Sequence, residues 1–244
     1  GAKFEYNDFF SPKLLEDPTL WAERIALYRS LDRDRSRDTL HGAFLDVTVH
    51  STDPAIRLAS EKRVEQSMEA ASALGVHGVV FHTGLIPNYR DDFYTENWLR
   101  NNRTFWTGLC RRYPGIEVYM ENMFDMEPDR LAKLARAMEG SPNFGVCLYC
   151  AHAQVFGGGF GPWLKRLSPY IRHMHINDND GKHDGHDAVG DGVTDWANLD
   201  RAIRASGLSC SVLIETRSIE KQQKSLSYMR EHRLYPFPGE KGGI

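Results

Sequence analysis

Short apolar runs that end in polar residues recur along this chain, and stretches with three- and four-residue apolar spacing lie between them. The runs Lys3–Tyr6, Gly42–Val49, Val76–His82, Ile116–Glu121, Phe144–Tyr149, Ile171–Ile176 and Ser211–Glu215 predict strands, most of them rich in Val, Ile, Phe or Tyr and bounded by Gly, Pro or Asn. Between them, Ser60–Leu74 carries Val64, Met68 and Ala71 at helical spacing, with Gly75 as a stop. Pro128 stands where a first helical turn would begin, followed by Leu131, Leu134, Ala135 and Met138 and then Gly140. Trp196–Ala205 repeats the scheme with Leu199 and Ile203 on one face and Gly207 after it. Strands separated by helices imply βα units and a parallel sheet. No linker or composition break divides the chain, so one domain over residues 1–244 is expected.

Two architectures repeat βα units, an open doubly wound sheet and a closed barrel. A nucleotide-binding open sheet would carry G-x-G-x-x-G after its first strand, whereas the Gly-rich run Gly157-Gly158-Gly159-Phe160-Gly161 follows a late one. The polar residues decide for the barrel. His82, Glu121, His175 and Glu215 close their runs and His152 lies just past another, and a barrel brings all strand ends to one mouth. The expectation is an α/β fold, a (β/α)8 TIM barrel. Seven runs stand against eight strands: either Lys3–Tyr6 is the second strand and the first is absent, which is the favoured reading, or one strand has gone unread. The chain opens on Gly1 rather than Met, so it reads as processed or engineered, and a removed signal peptide stays open.

Composition narrows the function classes. With 244 residues, 41% hydrophobic and 26% charged, the chain has globular content, and no apolar run approaches the roughly 20 residues that span a bilayer. A net charge of −3 argues against gripping nucleic acid by bulk positive charge. The four cysteines, Cys110, Cys147, Cys150 and Cys210, sit in or beside apolar runs and read as reduced thiols of a cytoplasmic protein. Cys147 and Cys150 form C-x-x-C, but on a strand such residues point to opposite faces, which suits structural thiols. Haem attachment would need His after Cys150, and Ala151 is there.

Strand parity aims the polar ends. In Ile171–Ile176, His173 and His175 share one face while Met174 and Ile176 take the other, so His175 points into the barrel. The same parity sends Glu121 inward above Tyr119 and puts Glu215 on the face of Leu213. Buried unpaired carboxylates cost several kcal/mol. Two of them converging with imidazoles call for cations. The segment from Asn177 to Gly192 adds His183, Asp184 and His186, and Asp184 and His186 could chelate one ion from a turn. Imidazole with carboxylate suits Zn²⁺ best, and Mn²⁺, Fe²⁺ or Co²⁺ would also be accommodated.

The ordered motifs Val79-Val80-Phe81-His82-Thr83-Gly84, Tyr119-Met120-Glu121-Asn122, Gly145-Val146-Cys147-Leu148 running to His152-Ala153, Met174-His175-Ile176-Asn177-Asp178, His186 to Gly190-Asp191-Gly192, and Ile214-Glu215-Thr216 resemble the xylose isomerase-like TIM-barrel superfamily. That superfamily unites sugar isomerases and epimerases with abasic-site nucleases of the endonuclease IV type. The resemblance to the nuclease branch implies His41, His82, Glu121, His152, His175, Asp184, His186 and Glu215 as eight of nine ligands of a trinuclear zinc site. The ninth, an Asp, is replaced by Tyr149. In the isomerase branch one ion would be held at Glu121, Tyr149, His175 and Glu215, so the replacement touches both branches.

A cation at such a mouth could polarise a sugar carbonyl while Glu121 or Glu215 moves the proton, or several could serve phosphodiester hydrolysis. The acidic loop Asp178–Asp191 and the net charge favour the sugar or sugar-phosphate isomerase or epimerase, with Arg217 holding a phosphate or sugar oxygen. An endonuclease IV-like phosphodiesterase ranks second and a non-catalytic ligand-binding barrel third. The expected partner is a small carbohydrate or sugar phosphate, with nucleic acid ranked below it, no membrane, and room for an oligomer. The mixed-sign run Leu31–Asp38 reads as a solvated helix end or loop. Phe9, Phe10, Phe93, Tyr94, Trp98, Phe105 and Trp106 read as helix packing or a roof over the mouth, with some able to stack on a sugar.

Overall fold

In the computed structural model, which describes residues 3–44 and 46–239, strands and helices alternate from end to end. Gly1, and Leu45 within the run Gly42–Val49, lie outside the described residues. In chain order the elements are β1 (Glu5–Tyr6), α1 (Pro12–Glu16), α2 (Pro18–Ser30), β2 (Thr39–His41), α3 (Pro54–Leu74), β3 (Gly78–His82), α4 (Asp92–Arg112), β4 (Glu117–Glu121) and α5 (Asp129–Ala137). They continue with β5 (Phe144–Tyr149), α6 (Cys150–Val155), α7 (Phe160–Leu167), β6 (Ile171–Ile176), α8 (Trp196–Ala205), β7 (Ser211–Ile214) and α9 (Ile219–Glu231).

The chain forms two compact units, one of Gly1–Glu121 with Lys133–Gly145 and one of Asn122–Ala132 with Val146–Ile244. In the first, β1 to β4 pair in parallel and in chain order, with His41 opposite Val80 and His82 opposite Glu121. In the second, β5, β6 and β7 pair in the same way. There Cys147, His173 and Ser211 form one cross-strand row, and Tyr149, His175 and Leu213 form the next. The register shifts between Val146 and Cys147, and this irregularity brings Cys147 opposite His173.

The strand expected over Gly42–Val49 lies earlier, at Thr39–His41. Its apolar pattern belongs to the segment after the strand. Gly42 N–H still donates to the Val80 carbonyl at 2.9 Å, but a Cβ on Gly42 would stand 2.2 Å from the Phe81 ring, so only glycine lets the chain turn away here. His41 thereby becomes the last residue of its strand, as His82 and Glu121 are of theirs. Cys150 is likewise not on a strand. It opens α6, so strand parity does not govern its relation to Cys147, and all four cysteines carry free thiols.

The helices form for local reasons. α3 starts at Pro54, ahead of the expected Ser60, because Asp53 caps it by accepting from the N–H groups of Ala55 and Ile56 and Pro54 fills the first position. It ends at Gly75 in the left-handed conformation, at φ 71°, and buries Val64, Met68 and Ala71. α8 is capped by Asp195, whose carboxylate accepts from Asn198 N–H. Its buried Leu199 and Ile203 share an apolar space with Met174 and Ile176 of β6, so the far face of β6 meets the helix layer. Among the described residues no helix is long and apolar enough to cross a membrane.

Candidate metal centre

In the first unit, three candidate ligands stand at strand ends. His41 ends β2, His82 ends β3 and Glu121 ends β4. His41, His82 and Glu121 can offer ligand atoms that all lie within 4.8 Å of one another. His82 Nε2 lies 3.4 Å from Glu121 Oε1, and Glu121 is only 1% exposed. The imidazoles of His41 and His82 meet edge to face at 5.0 Å, with the Phe44 ring against both. His41 Nδ1 lies 3.0 Å from its neighbour's carbonyl, at Gly42.

The second unit gathers the rest. His152 Nε2 lies 3.4 Å from Asp184 Oδ2, and His186 Nε2 lies 3.0 Å from the same oxygen. His175 Nδ1 stands 2.9 Å from Glu215 Oε2, yet that carboxylate oxygen is buried without a hydrogen bond of proper alignment. An imidazole nitrogen and a carboxylate oxygen this close can serve one cation. Burial raises the Asp184 carboxyl, but hydrogen bonds from His152 and His186 outweigh it and hold the group below the usual carboxylate range. The same Asp184 raises the His186 imidazole above its ordinary value.

The donor set fits a cation. Nδ1 of His41 faces the Gly42 carbonyl, Nδ1 of His152 faces Asn122 O at 2.9 Å, and Nδ1 of His186 faces Glu215 O at 3.3 Å. A carbonyl only accepts, so Nδ1–H donates in each pair. Metal-binding histidines are held in this way, with one nitrogen anchored and the other presented. In all three the presented atom is Nε2.

Tyr149, where the resemblance implies Asp, lies among these ligands. It pairs with His175 across the β5–β6 register and packs on the His152 ring at a centroid distance of 3.8 Å. Its hydroxyl accepts from Asn177 Nδ2 at 2.7 Å and lies 3.2 Å from His186 Nδ1. Asn122 staples the end of this strand, its amide bonding both Tyr149 N and Tyr149 O.

Asp178 organises the loop that carries Asp184 and His186. Wholly buried, it accepts from Asn179 N, Gly190 N, Thr194 N and Trp196 Nε1 at 2.7–3.1 Å. A Cβ on Gly192 would stand 2.2 Å from Asn179 O, so the loop folds this tightly only with glycine there. His186 itself has φ 48°, a left-handed conformation uncommon for a residue with a side chain. His183, clustered with the ligands in sequence, is exposed and turns to Asp180 at 2.9 Å. Arg217 is exposed in the bend after β7.

Sequence reasoning missed Asn122, Asn177 and Asp178, because a polar residue near a strand end carries no mark of burial. It also missed His50, whose imidazole burial pushes down to about 4 and which lines a small cavity with Phe44, His82 and Thr83.

The chain is similar to several known proteins. A structure of the TTHB071 protein from Thermus thermophilus, soaked with zinc chloride, is 27% identical, superposes with a TM-score of 0.73 and covers 93% of this chain and 86% of its own. The probable endonuclease 4 of Mycobacterium leprae is 26% identical over 205 residues, 79% of this chain and 77% of that protein. A D-tagatose 3-epimerase-like protein, 20% identical, shares the fold at a TM-score of 0.75 over 95% of this chain and 97% of its own. The profile of the xylose isomerase-like TIM-barrel family matches residues 5–232, and the chain, with seven parallel strands among its described residues, belongs to that family.

Proposed function

We propose that this protein is a metal-dependent isomerase or epimerase of a small sugar or sugar phosphate. The observation that carries the reading is the anchoring of Nδ1 on a backbone carbonyl at His41, His152 and His186, which turns Nε2 outward as a ligand. The proposed ligands are His41, His82 and Glu121 from the first unit, and His152, His175, Asp184, His186 and Glu215 from the second. Zinc suits this mixture of imidazole and carboxylate, and the Thermus relative was soaked with zinc chloride. A bound divalent cation would polarise a sugar carbonyl and stabilise charge developing on its oxygen.

The chain's own groups do the rest. Glu121 and Glu215 are the proton carriers, each a carboxylate beside an imidazole. At a carbon next to a carbonyl, one such carboxylate, Glu121 or Glu215, removes the proton and returns it elsewhere. Arg217, exposed directly after Glu215-Thr216, is the group to hold a phosphate or sugar hydroxyl.

An endonuclease 4-like phosphodiesterase is the second reading, favoured by the eight matching donors and by the mycobacterial relative. The cations beside the ligand loop weigh against it. Lys221 bonds Asp187 at 2.9 Å and Lys224 bonds Asp191 at 2.5 Å, so these positive charges are taken up by the loop's own acids instead of facing a phosphate backbone.

The test is deuterium exchange. Zinc-loaded protein, incubated with a panel of ketoses and their phosphates in heavy water, is expected to exchange the hydrogen beside the carbonyl of at least one of them. Glu121→Gln is expected to slow that exchange by about 10²–10⁴-fold. Cleavage of abasic duplex DNA, lost in the same variant and without exchange into any sugar, would replace this reading by the second.

A further inference from the structure

We infer a second kind of metal site in the second unit, a thiolate site formed by Cys147 of β5 with His173 and His175 of β6. It goes beyond the function proposed above and shares only His175 with those ligands. Cys147, His173 and His175 can each offer a ligand atom, and these atoms lie within 4.8 Å of one another. All three residues are buried, Cys147 and His175 at 0% exposure.

The backbone places them there through an irregularity. From Val146 opposite Ile171 the register skips to Cys147 opposite His173, passing over the exposed Arg172. An unshifted ladder would put Cys147 across from Arg172. A strand irregularity of this kind re-aims side chains, and here it sets a thiol beside an imidazole. The second anchor is on β7. Ser211, opposite His173, brings its Oγ to 2.6 Å from His173 Nδ1, which fixes the orientation of that ring. His173 and His175 meet edge to face at 5.0 Å. His175 has Nδ1 beside Glu215 Oε2, and its Nε2 is buried as well.

One sulfur and two imidazole nitrogens suit a thiophilic divalent ion, zinc above all, and do not suit magnesium or calcium, which take oxygen. Charge is consistent with that choice. A divalent ion on one thiolate keeps a net positive charge, and the Glu215 carboxylate beside His175 offsets it. His175 is common to both ligand sets, while Cys147 and His173 lie opposite each other two residues earlier on their strands.

Cobalt(II) distinguishes the two, because only the inferred site supplies sulfur. Metal-free protein titrated with cobalt(II) is expected to develop a thiolate-to-cobalt charge-transfer band in the near ultraviolet. The band should vanish in Cys147→Ser and persist in Cys150→Ser, Cys210→Ser and Glu121→Gln. X-ray absorption of the zinc-loaded wild-type chain, which needs no variant, should show a sulfur neighbour at about 2.3 Å. A spectrum with nitrogen and oxygen neighbours only, or a band that survives Cys147→Ser, would overturn the inference. A thiolate band in protein that exchanges no sugar hydrogen would support this site and count against the sugar reaction. Exchange without sulfur ligation would do the reverse.

Discussion

Tyr149 stands where the resemblance implies an Asp ligand, and its surroundings show what the phenol does there. The phenol oxygen takes the Asn177 Nδ2 hydrogen bond and reaches His186, while the ring packs at a tilt against His152. The side chain that no longer supplies a charge thus positions two imidazoles through packing and one hydroxyl. Tyr149→Phe keeps the ring packing and leaves the buried Asn177 amide without that acceptor, so it should lower stability by about 1 kcal/mol, read from urea unfolding. Tyr149→Asp should do the opposite for metal, raising the zinc retained after dialysis against a weak chelator. A Tyr149→Asp protein that retained no more zinc than wild type would mean that the phenol already serves as a ligand. This substitution was legible in the sequence as a departure. Its consequence was not, because the partners Asn177 and His186 come from a loop whose path depends on Asp178.

That loop shows how an element without regular structure is fixed. Asp178 collects four N–H donors from residues as far along as Trp196 and so folds the ligand-bearing segment back on the end of β6. Burial raises its carboxyl, but the bonds from Trp196 and Thr194 prevail and hold it below the ordinary carboxylate value. Its stabilisation is therefore complete above the unfolded pKa, near 4, and is lost as pH falls through the lower folded value. Asp178→Asn should cost about 1–3 kcal/mol at neutral pH, and the difference from wild type should shrink as the medium becomes acidic, measured by denaturant unfolding across pH. A constant difference would show that charge is not what the loop uses. Regular elements were easier to read. β5, β6 and α8 have the expected bounds because alternation or helical spacing runs unbroken through them. β2 was displaced because three buried residues ending at His41 carry less pattern than the apolar segment that follows. α2 went unseen because its apolar residues form no stripe, with Ile25 buried and Leu27 exposed.

The proposed ligands could partly be read from sequence because strands of a parallel βα fold end in a constant direction, so position alone nominates His82, Glu121, His175 and Glu215, whereas His41, ahead of the run expected at Gly42–Val49, came only from the resemblance. The backbone carbonyls that anchor them could not, since a carbonyl belongs to every residue. This division has a thermodynamic consequence that reaches both units. Zinc binding only the folded chain should stabilise it by about 2.7 kcal/mol at a hundredfold excess over Kd, and chelation should remove that increment. Protons oppose it. Asp184 raises the His186 pKa, so in zinc-free protein the protonated imidazole adds stability that is present below the ordinary histidine value and lost as pH rises through the raised one. Zinc at the proposed site would take the place of that proton, so its affinity should increase as His186 deprotonates. The two effects act in the same sense on the difference. The zinc-dependent rise in Tm should therefore widen from about pH 6 to about pH 8, as read by calorimetry with and without chelator. In His186→Ala the widening should be much reduced, because the residue that exchanges proton for metal is gone. A rise in Tm that stayed flat with pH in the wild-type chain would place zinc away from the Asp184–His186 pair.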